Sequence, residues 1–215
     1  SDVCSSDLTA LGELLIDFTE NGDSAQGNPL MEANPGGAPC NVLAMLQKLG
    51  KKTAFIGKVG NDMFGNQLKK AVEEVGIDTR NLIMDHKHHT TLAFVHTYPD
   101  GDRDFSFYRD PGADMMLTKE EVQKELIEDS RIFHFGTLSS THEGIREATR
   151  HAIELAKEAG CIITFDPNLR PPLWNSLDDA RREIEYGMGK CDVLKISDNE
   201  VEFLFGTTDY DKGAA

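Results

Sequence analysis

The 215-residue sequence is short of several things, and each shortage argues against a class of protein. It has four cysteines, Cys4, Cys40, Cys161 and Cys191, and no Cys-x-x-Cys pair. A structural zinc needs clustered thiolates or imidazoles, and a disulfide scaffold needs a denser set, so neither is expected and a reducing cytoplasm fits. Basic residues are outnumbered, 22 Lys and Arg against 37 Asp and Glu, for a net charge of −15. A surface of that sign repels a phosphate backbone and argues against a nucleic-acid partner. No apolar run approaches the ~20 residues of a membrane span. Ser1-Asp2-Val3-Cys4-Ser5-Ser6-Asp7 lacks the basic start and apolar stretch of a signal peptide, and residues 1–7 read as a disordered leader. Neither Gly-x-x-x-x-Gly-Lys-Ser/Thr nor Gly-x-Gly-x-x-Gly occurs, which removes a P-loop and a dinucleotide fingerprint.

What is present is an alternation of short apolar runs and helical patterns. Leu8 to Phe18 reads as a buried first strand, with Thr53–Val59, Ile132–Phe135, Cys161–Phe165 and Asp192–Ile196 as later ones. Between them the spacing predicts helices over Pro39–Leu49, after Asp62 to Val75, over Thr141–Glu158 and over Asp198–Phe205. Gly50, Gly76, Gly160 and Gly206 stand at their ends. Such alternation means βαβ units and a parallel sheet, whose ligands bind beyond the carboxyl ends of the strands. Thr91–Tyr98 and Asp104–Arg109, joined by Pro99-Asp100-Gly101-Asp102, form a hairpin that breaks the rhythm. With the extended stretch near residues 24–33 it makes a small sheet placed to act as a lid. The charge-rich segment 119–128 reads as an exposed helix face, and His86, His88 and His89 as a solvated loop.

Polar residues that follow apolar strands are the candidate site. Asn34-Pro35-Gly36-Gly37-Ala38-Pro39-Cys40-Asn41 serves either as an ordinary turn into a helix or as a close backbone approach to a ligand. Asn41 then offers an amide that both donates and accepts, as a polyhydroxyl ligand requires. Asp17, inside an apolar run, is a hydroxyl acceptor or a cap. Arg109 is a site cation or the partner of Asp110. Asp166-Pro167-Asn168-Leu169-Arg170 follows its strand directly and places two polar side chains and an arginine at the strand's end.

Gly36-Gly37, Asn41, Gly50 and Gly60 resemble, in order and spacing, the first signature of the ribokinase-like (PfkB) carbohydrate kinases. Leu43 stands where that family has a small residue. Phe55-Ile56-Gly57-Lys58-Val59-Gly60, Tyr108-Arg109-Asp110-Pro111-Gly112-Ala113-Asp114, Phe165-Asp166-Pro167-Asn168-Leu169-Arg170 and Lys195-Ile196-Ser197-Asp198 are similar to the fructokinase branch. The resemblance runs over residues 8–215 and implies a three-layer α/β/α core with a small β-sheet lid, the lid segments being about 19–35 and 88–112. It implies ATP and Mg²⁺, transfer of the γ-phosphoryl group to a sugar hydroxyl, and a homodimer through the lid. Asp17, Gly36, Gly37 and Asn41 would contact sugar hydroxyls. Phe94, Phe107, Arg109, Asn168 and Arg170 would border the sugar, and Asn168 and Ser197 the phosphates. The family's Asn-x-x-Glu motif has two registers here: Asn199–Glu202 matches the letters, while Ser197–Glu200 keeps the distance to Gly206. The second makes Glu200 the Mg²⁺ residue.

The family's second signature, Gly-Ala-Gly-Asp, does not occur, and Gly213-Ala214-Ala215 is not followed by Asp. That segment would supply the base and anion hole of phosphoryl transfer. The chain is therefore expected to be the N-terminal part of the kinase and inactive alone. D-Fructose, giving fructose 6-phosphate, is the expected substrate. 2-Keto-3-deoxygluconate, ribose, or sugar binding without catalysis are the alternatives.

Overall fold

The computed structural model describes residues 5–98 and 103–213. Its elements run β1 (Ser6–Leu11), β2 (Leu15–Asp23), β3 (Pro29–Gly36), α1 (Ala38–Lys48), β4 (Thr53–Gly60), α2 (Met63–Val75) and β5 (Asp78–Asp85). There follow β6 (Leu92–Thr97), β7 (Arg103–Tyr108), α3 (Lys124–Glu128), β8 (Ser130–Gly136), α4 (Glu143–Glu158), β9 (Ile162–Asp166), α5 (Leu177–Met188), β10 (Val193–Leu194), α6 (Asp198–Phe205) and α7 (Tyr210–Gly213).

Two sheets result. The larger has strand order β10-β9-β8-β1-β4-β5, every pair parallel. Its central strands β1 and β4 are buried on both faces, hence their near-continuous apolar character. Leu8 and Ala10 of β1 pack toward Leu43, Phe55 and Leu68. Leu11 points the other way, into a cluster with Ile56, Phe133, Phe135, Ile145 and Ile153. Helices therefore cover both faces, giving the three layers expected. The smaller sheet, β3-β2-β6-β7, has antiparallel outer pairs and a parallel central pair.

Because β1 lies between β4 and β8, the chain builds outward in both directions from β1. The carboxyl ends of β1 and β8 thus border a switch point, where an open α/β sheet leaves a crevice.

Several expectations need correction. Leu8–Phe18 is not one strand: the chain leaves the main sheet after Leu11 and enters the small sheet at Leu15. Gly12 makes the break, since a side chain there would run into Pro39. Ser6 and Asp7 are not leader but strand; Ser6 is registered with Ser130, and the Lys52 amide donates to the Asp7 carboxylate at 2.9 Å. Residues 1–4 and the turn at 99–102 lie outside the described residues. Segment 119–128 is not merely an exposed face, because Val122, Leu126 and Ile127 enter the core. Strand β5 and helix α5 had no counterpart in the sequence reading. The first is a polar edge strand with only three apolar residues, and the second buries just Ala180, Ile184 and Gly187 alongside Glu183. Among the described residues no helix is long and apolar enough to cross a membrane.

Candidate active site

A cavity of about 210 Å³ opens between the small sheet and the carboxyl end of β1. That is below the ~300–1,000 Å³ typical of drug-sized ligands and suits a small molecule. Asp17, Gly37, Asn41, Phe107, Asn168 and Arg170 line it, so six residues chosen from sequence are brought together. Glu13, Leu15, Ala38, Phe105 and Leu138 complete the wall.

The double glycine is explained by close approach of a carboxylate and a backbone carbonyl. A Cβ on Gly36 would strike the Asp17 carboxylate, and one on Gly37 the Glu13 carbonyl; Gly37 also holds φ 122°. The chain then enters α1 with Pro39 in its first turn, and the Asn41 amide donates to the Gly37 carbonyl at 3.0 Å. Asp17 is half-buried; burial raises its pKa, and the Arg170 charge opposes the rise.

Arg170 reaches the cavity from the loop after β9. That loop turns sharply: Asn168 holds φ 46°, and its amide donates to Asp166 Oδ1 at 3.2 Å. The Arg170 guanidinium lies 5.4 Å from the centre of the Phe105 ring, within cation–π range. Phe105 and Phe107 stack on each other with ring centres 6.0 Å apart.

Phe94 is not at the cavity. In register, Phe94 faces Ser106, while Ala93 faces Phe107 and Val95 faces Phe105. Alternation therefore puts Phe94 on the opposite face of the small sheet, where it stacks on Phe18 at 4.8 Å and meets Tyr108 at 5.3 Å. The same parity argument, carried from Phe107 to Phe105, would have found the residue that takes its place.

Arg109 is not a cavity residue either. Its side chain is 2% exposed, as is that of Asp114, and the two form a buried ion pair at 2.6 Å. Its remaining contacts are also internal: it donates to Thr141 Oγ1 at 2.7 Å and to the Leu138 carbonyl at 2.9 Å. Asp114 additionally accepts from the Thr91 hydroxyl at 2.5 Å. The arginine anticipated as a ligand or an Asp110 partner is a strut that ties the end of β7 to the core.

Ser197 and Glu200 form a capping box at the start of α6. Glu200 is buried, and both its oxygens are used: one accepts from the Leu169 amide at 2.8 Å, the other from the Ser197 amide at 2.8 Å and hydroxyl at 2.9 Å. Glu200 so fastens the 168–170 loop to α6, whereas Asn199 and Glu202 are exposed. A bound Mg²⁺ wants oxygen ligands free to turn to it. Glu200 does not fit that role as placed, and among the described residues no three His, Cys, Asp or Glu side chains gather as a metal site. His86 and His89 are exposed, and His88 sits 3.0 Å from Asp85.

Glu13 escaped the sequence reading although an acid within the apolar run just past a strand is a visible signal. It is 3% exposed and accepts from the Ala38 amide at 2.8 Å. Burial pushes its pKa up to about 7, against the pull of its own amide, the Ala38 amide and Arg109. Beside it a second, smaller space is bordered by His134, Gly136, Thr137 and Asp166. His134 meets Thr164 Oγ1 at 2.9 Å, and burial lowers its pKa.

The arrangement matches known proteins closely. The model for pfkB family carbohydrate kinases matches residues 5–215. A probable fructokinase-2 of Arabidopsis thaliana is 42% identical over 210 residues, covering 97% of this chain and 64% of the relative. A fructokinase-2 of Solanum lycopersicum is also 42% identical, with the same coverage. The crystal structure of a fructokinase from Xylella fastidiosa superposes with a TM-score of 0.85 at 34% identity, covering 94% of this chain and 62% of that one. The same protein with bound ATP superposes at 0.85 and 33% identity, covering 97% and 67%. The chain thus spans a little under two thirds of the curated relatives it matches. It belongs to the pfkB family of carbohydrate kinases.

Proposed function

We propose that the full-length protein transfers the γ-phosphoryl group of ATP to D-fructose, giving fructose 6-phosphate. The observation that carries this reading is the charge and hydrogen-bonding character of the cavity. Asp17 accepts hydrogen bonds, Asn41 and Asn168 both accept and donate, and Arg170 donates, a set matched to a ring of hydroxyls. The second arginine that an acidic sugar could use is locked to Asp114. Arg170 acts on Asp17 and shares the cavity with Glu13, so the cavity offers a carboxylated sugar no surplus of positive charge. The names of the relatives point the same way.

Asp17 and Asn41 hold the sugar while the small sheet closes over it and excludes water, which limits wasteful ATP hydrolysis. Mg²⁺ arrives with ATP as part of the substrate, and the catalytic base is assigned to the part of the protein beyond this chain. A cytoplasmic setting belongs to the same reading. So does pairing of two copies through the outer face of the small sheet, where Tyr108 is 68% exposed.

Incubation of the full-length protein with MgATP and fructose tests the proposal, with ³¹P and ¹³C NMR locating the new ester. A phosphate on the C6 hydroxyl is expected. Binding of fructose without turnover would point instead to a non-catalytic relative, and transfer confined to ribose to a different sugar kinase.

A further inference from the structure

Glu13 has no assigned role, and its setting is unusual. It sits in the three-residue link between β1 and β2, at the carboxyl end of the central strand, and is almost wholly enclosed. A buried carboxylate is costly unless hydrogen bonds or a cation compensate it. The compensation here is thin. One oxygen accepts from the Ala38 amide at the N-terminus of α1, where the helix dipole also favours negative charge. Among the described residues, no side chain hydrogen-bonds to it. The cation whose charge acts on it, Arg109, is already paired with Asp114 at 2.6 Å. Burial raises its pKa more than these groups lower it.

A helix cap explains only one of the two oxygens. An acid whose sole task was to hold the Ala38 amide would be served as well by a neutral amide oxygen, without the burial of a charge. Yet Glu13 lines the main cavity together with Asp17, Gly37 and Asn41. Under-compensated ionisable groups at the floor of a cleft mark functional positions.

We propose that Glu13 is a sugar-binding residue, its uncapped oxygen accepting a hydrogen bond from a hydroxyl of the bound sugar. The inference rests on the reading of this cavity as the sugar site. Glu13 and Asp17 then hold the ligand from two sides, Glu13 from the main-sheet floor and Asp17 from the small sheet. Capping and binding become linked: the acid that anchors Ala38 in the first turn of α1 also fixes Asn41, three residues on, relative to the hydroxyl it receives. A sugar lacking that hydroxyl leaves Glu13 buried with only backbone amides for partners, so discrimination against such an analogue is built in.

The test is calorimetric titration of the full-length protein with fructose, comparing wild type and Glu13→Gln. Glutamine keeps the volume and the oxygen that caps Ala38 but removes the charge. Glu13→Gln is expected to unfold no earlier than wild type at pH 8, to bind fructose at least tenfold more weakly, and to raise KM by more than it lowers kcat. Equal fructose affinity in a folded Glu13→Gln protein overturns the inference while leaving the fructose reading intact. Wild-type protein that binds neither fructose nor ribose overturns both. Should Glu13→Gln not fold, Glu13→Asp retains the charge but withdraws the carboxylate. A tenfold loss of affinity in that variant supports the inference, and unchanged affinity overturns it.

Discussion

Two loops of this protein look alike in sequence and end up with opposite roles. Arg109-Asp110-Pro111 follows β7, and Asp166-Pro167-Asn168-Leu169-Arg170 follows β9. Each offers an arginine near an Asp-Pro pair at the end of a strand. In the first loop the chain supplies a buried carboxylate, Asp114, and the guanidinium is consumed by it, by Thr141 and by the Leu138 carbonyl. In the second, Asp166 is turned to the Asn168 amide and to Lys195 at 3.1 Å, leaving Arg170 against the Phe105 ring at the cavity. A guanidinium stays at the cavity where no carboxylate bonds it directly, and the motif alone does not say which case applies.

The comparison can be broken most forcefully at Asp114. Asp114→Ala leaves a buried guanidinium unpaired and should cost about 3–5 kcal/mol of unfolding free energy, measured by denaturant titration. A loss below about 1 kcal/mol would mean that Arg109 finds water or ligand instead. Next in size is the pH dependence set by Glu13. Its folded pKa lies near 7 against an ordinary 4.5, so the folded state holds a proton that the unfolded chain releases in between. Stability from this group is therefore present below pH 4.5 and lost as pH rises through 7, by up to about 3 kcal/mol. Glu13→Gln should abolish that fall, making the variant the more stable at pH 8 in thermal melts.

Arg170→Ala should do the reverse of Asp114→Ala. A half-buried residue with a cation–π contact is worth about 0.5–1 kcal/mol to stability, while sugar affinity should drop about tenfold. Smallest is the paired test on the small sheet. Phe105→Ala should raise the KM for fructose several-fold, and Phe94→Ala, on the other face, should leave it within about twofold. Equal effects would mean that the assignment of inner and outer faces is wrong.

Much of this could be read from the sequence, and the remainder fails for identifiable reasons. Helix ends were legible because their chemistry is local: Asp62 accepts from the Gly65 amide at 2.8 Å, and Gly76 and Gly206 adopt positive φ. Asp17, Gly37, Asn41, Asn168 and Arg170 were legible because each follows an apolar strand or sits in a glycine turn. Arg109 misled because its partner Asp114 is set by a tertiary fold-back, not by adjacency to Asp110. Phe94 misled because both hairpin strands carry aromatics and only the register settles which face is inward. Glu200 misled because the spacing to Gly206 that selected it does not reveal that its oxygens are spent on Leu169 and Ser197. Leu8–Phe18 was read as one strand because apolar content hides the sheet change at Gly12.

The central claim is that the cavity selects a neutral sugar because Asp114 holds Arg109 away from it. The most direct measurement is the ratio of kcat/KM for fructose to that for 2-keto-3-deoxygluconate, with MgATP and the full-length protein. The account predicts at least a hundredfold preference for fructose. Equal or better turnover of the acid sugar would contradict it, since the carboxylate would then have found a cation in the cavity despite the Arg109–Asp114 pair.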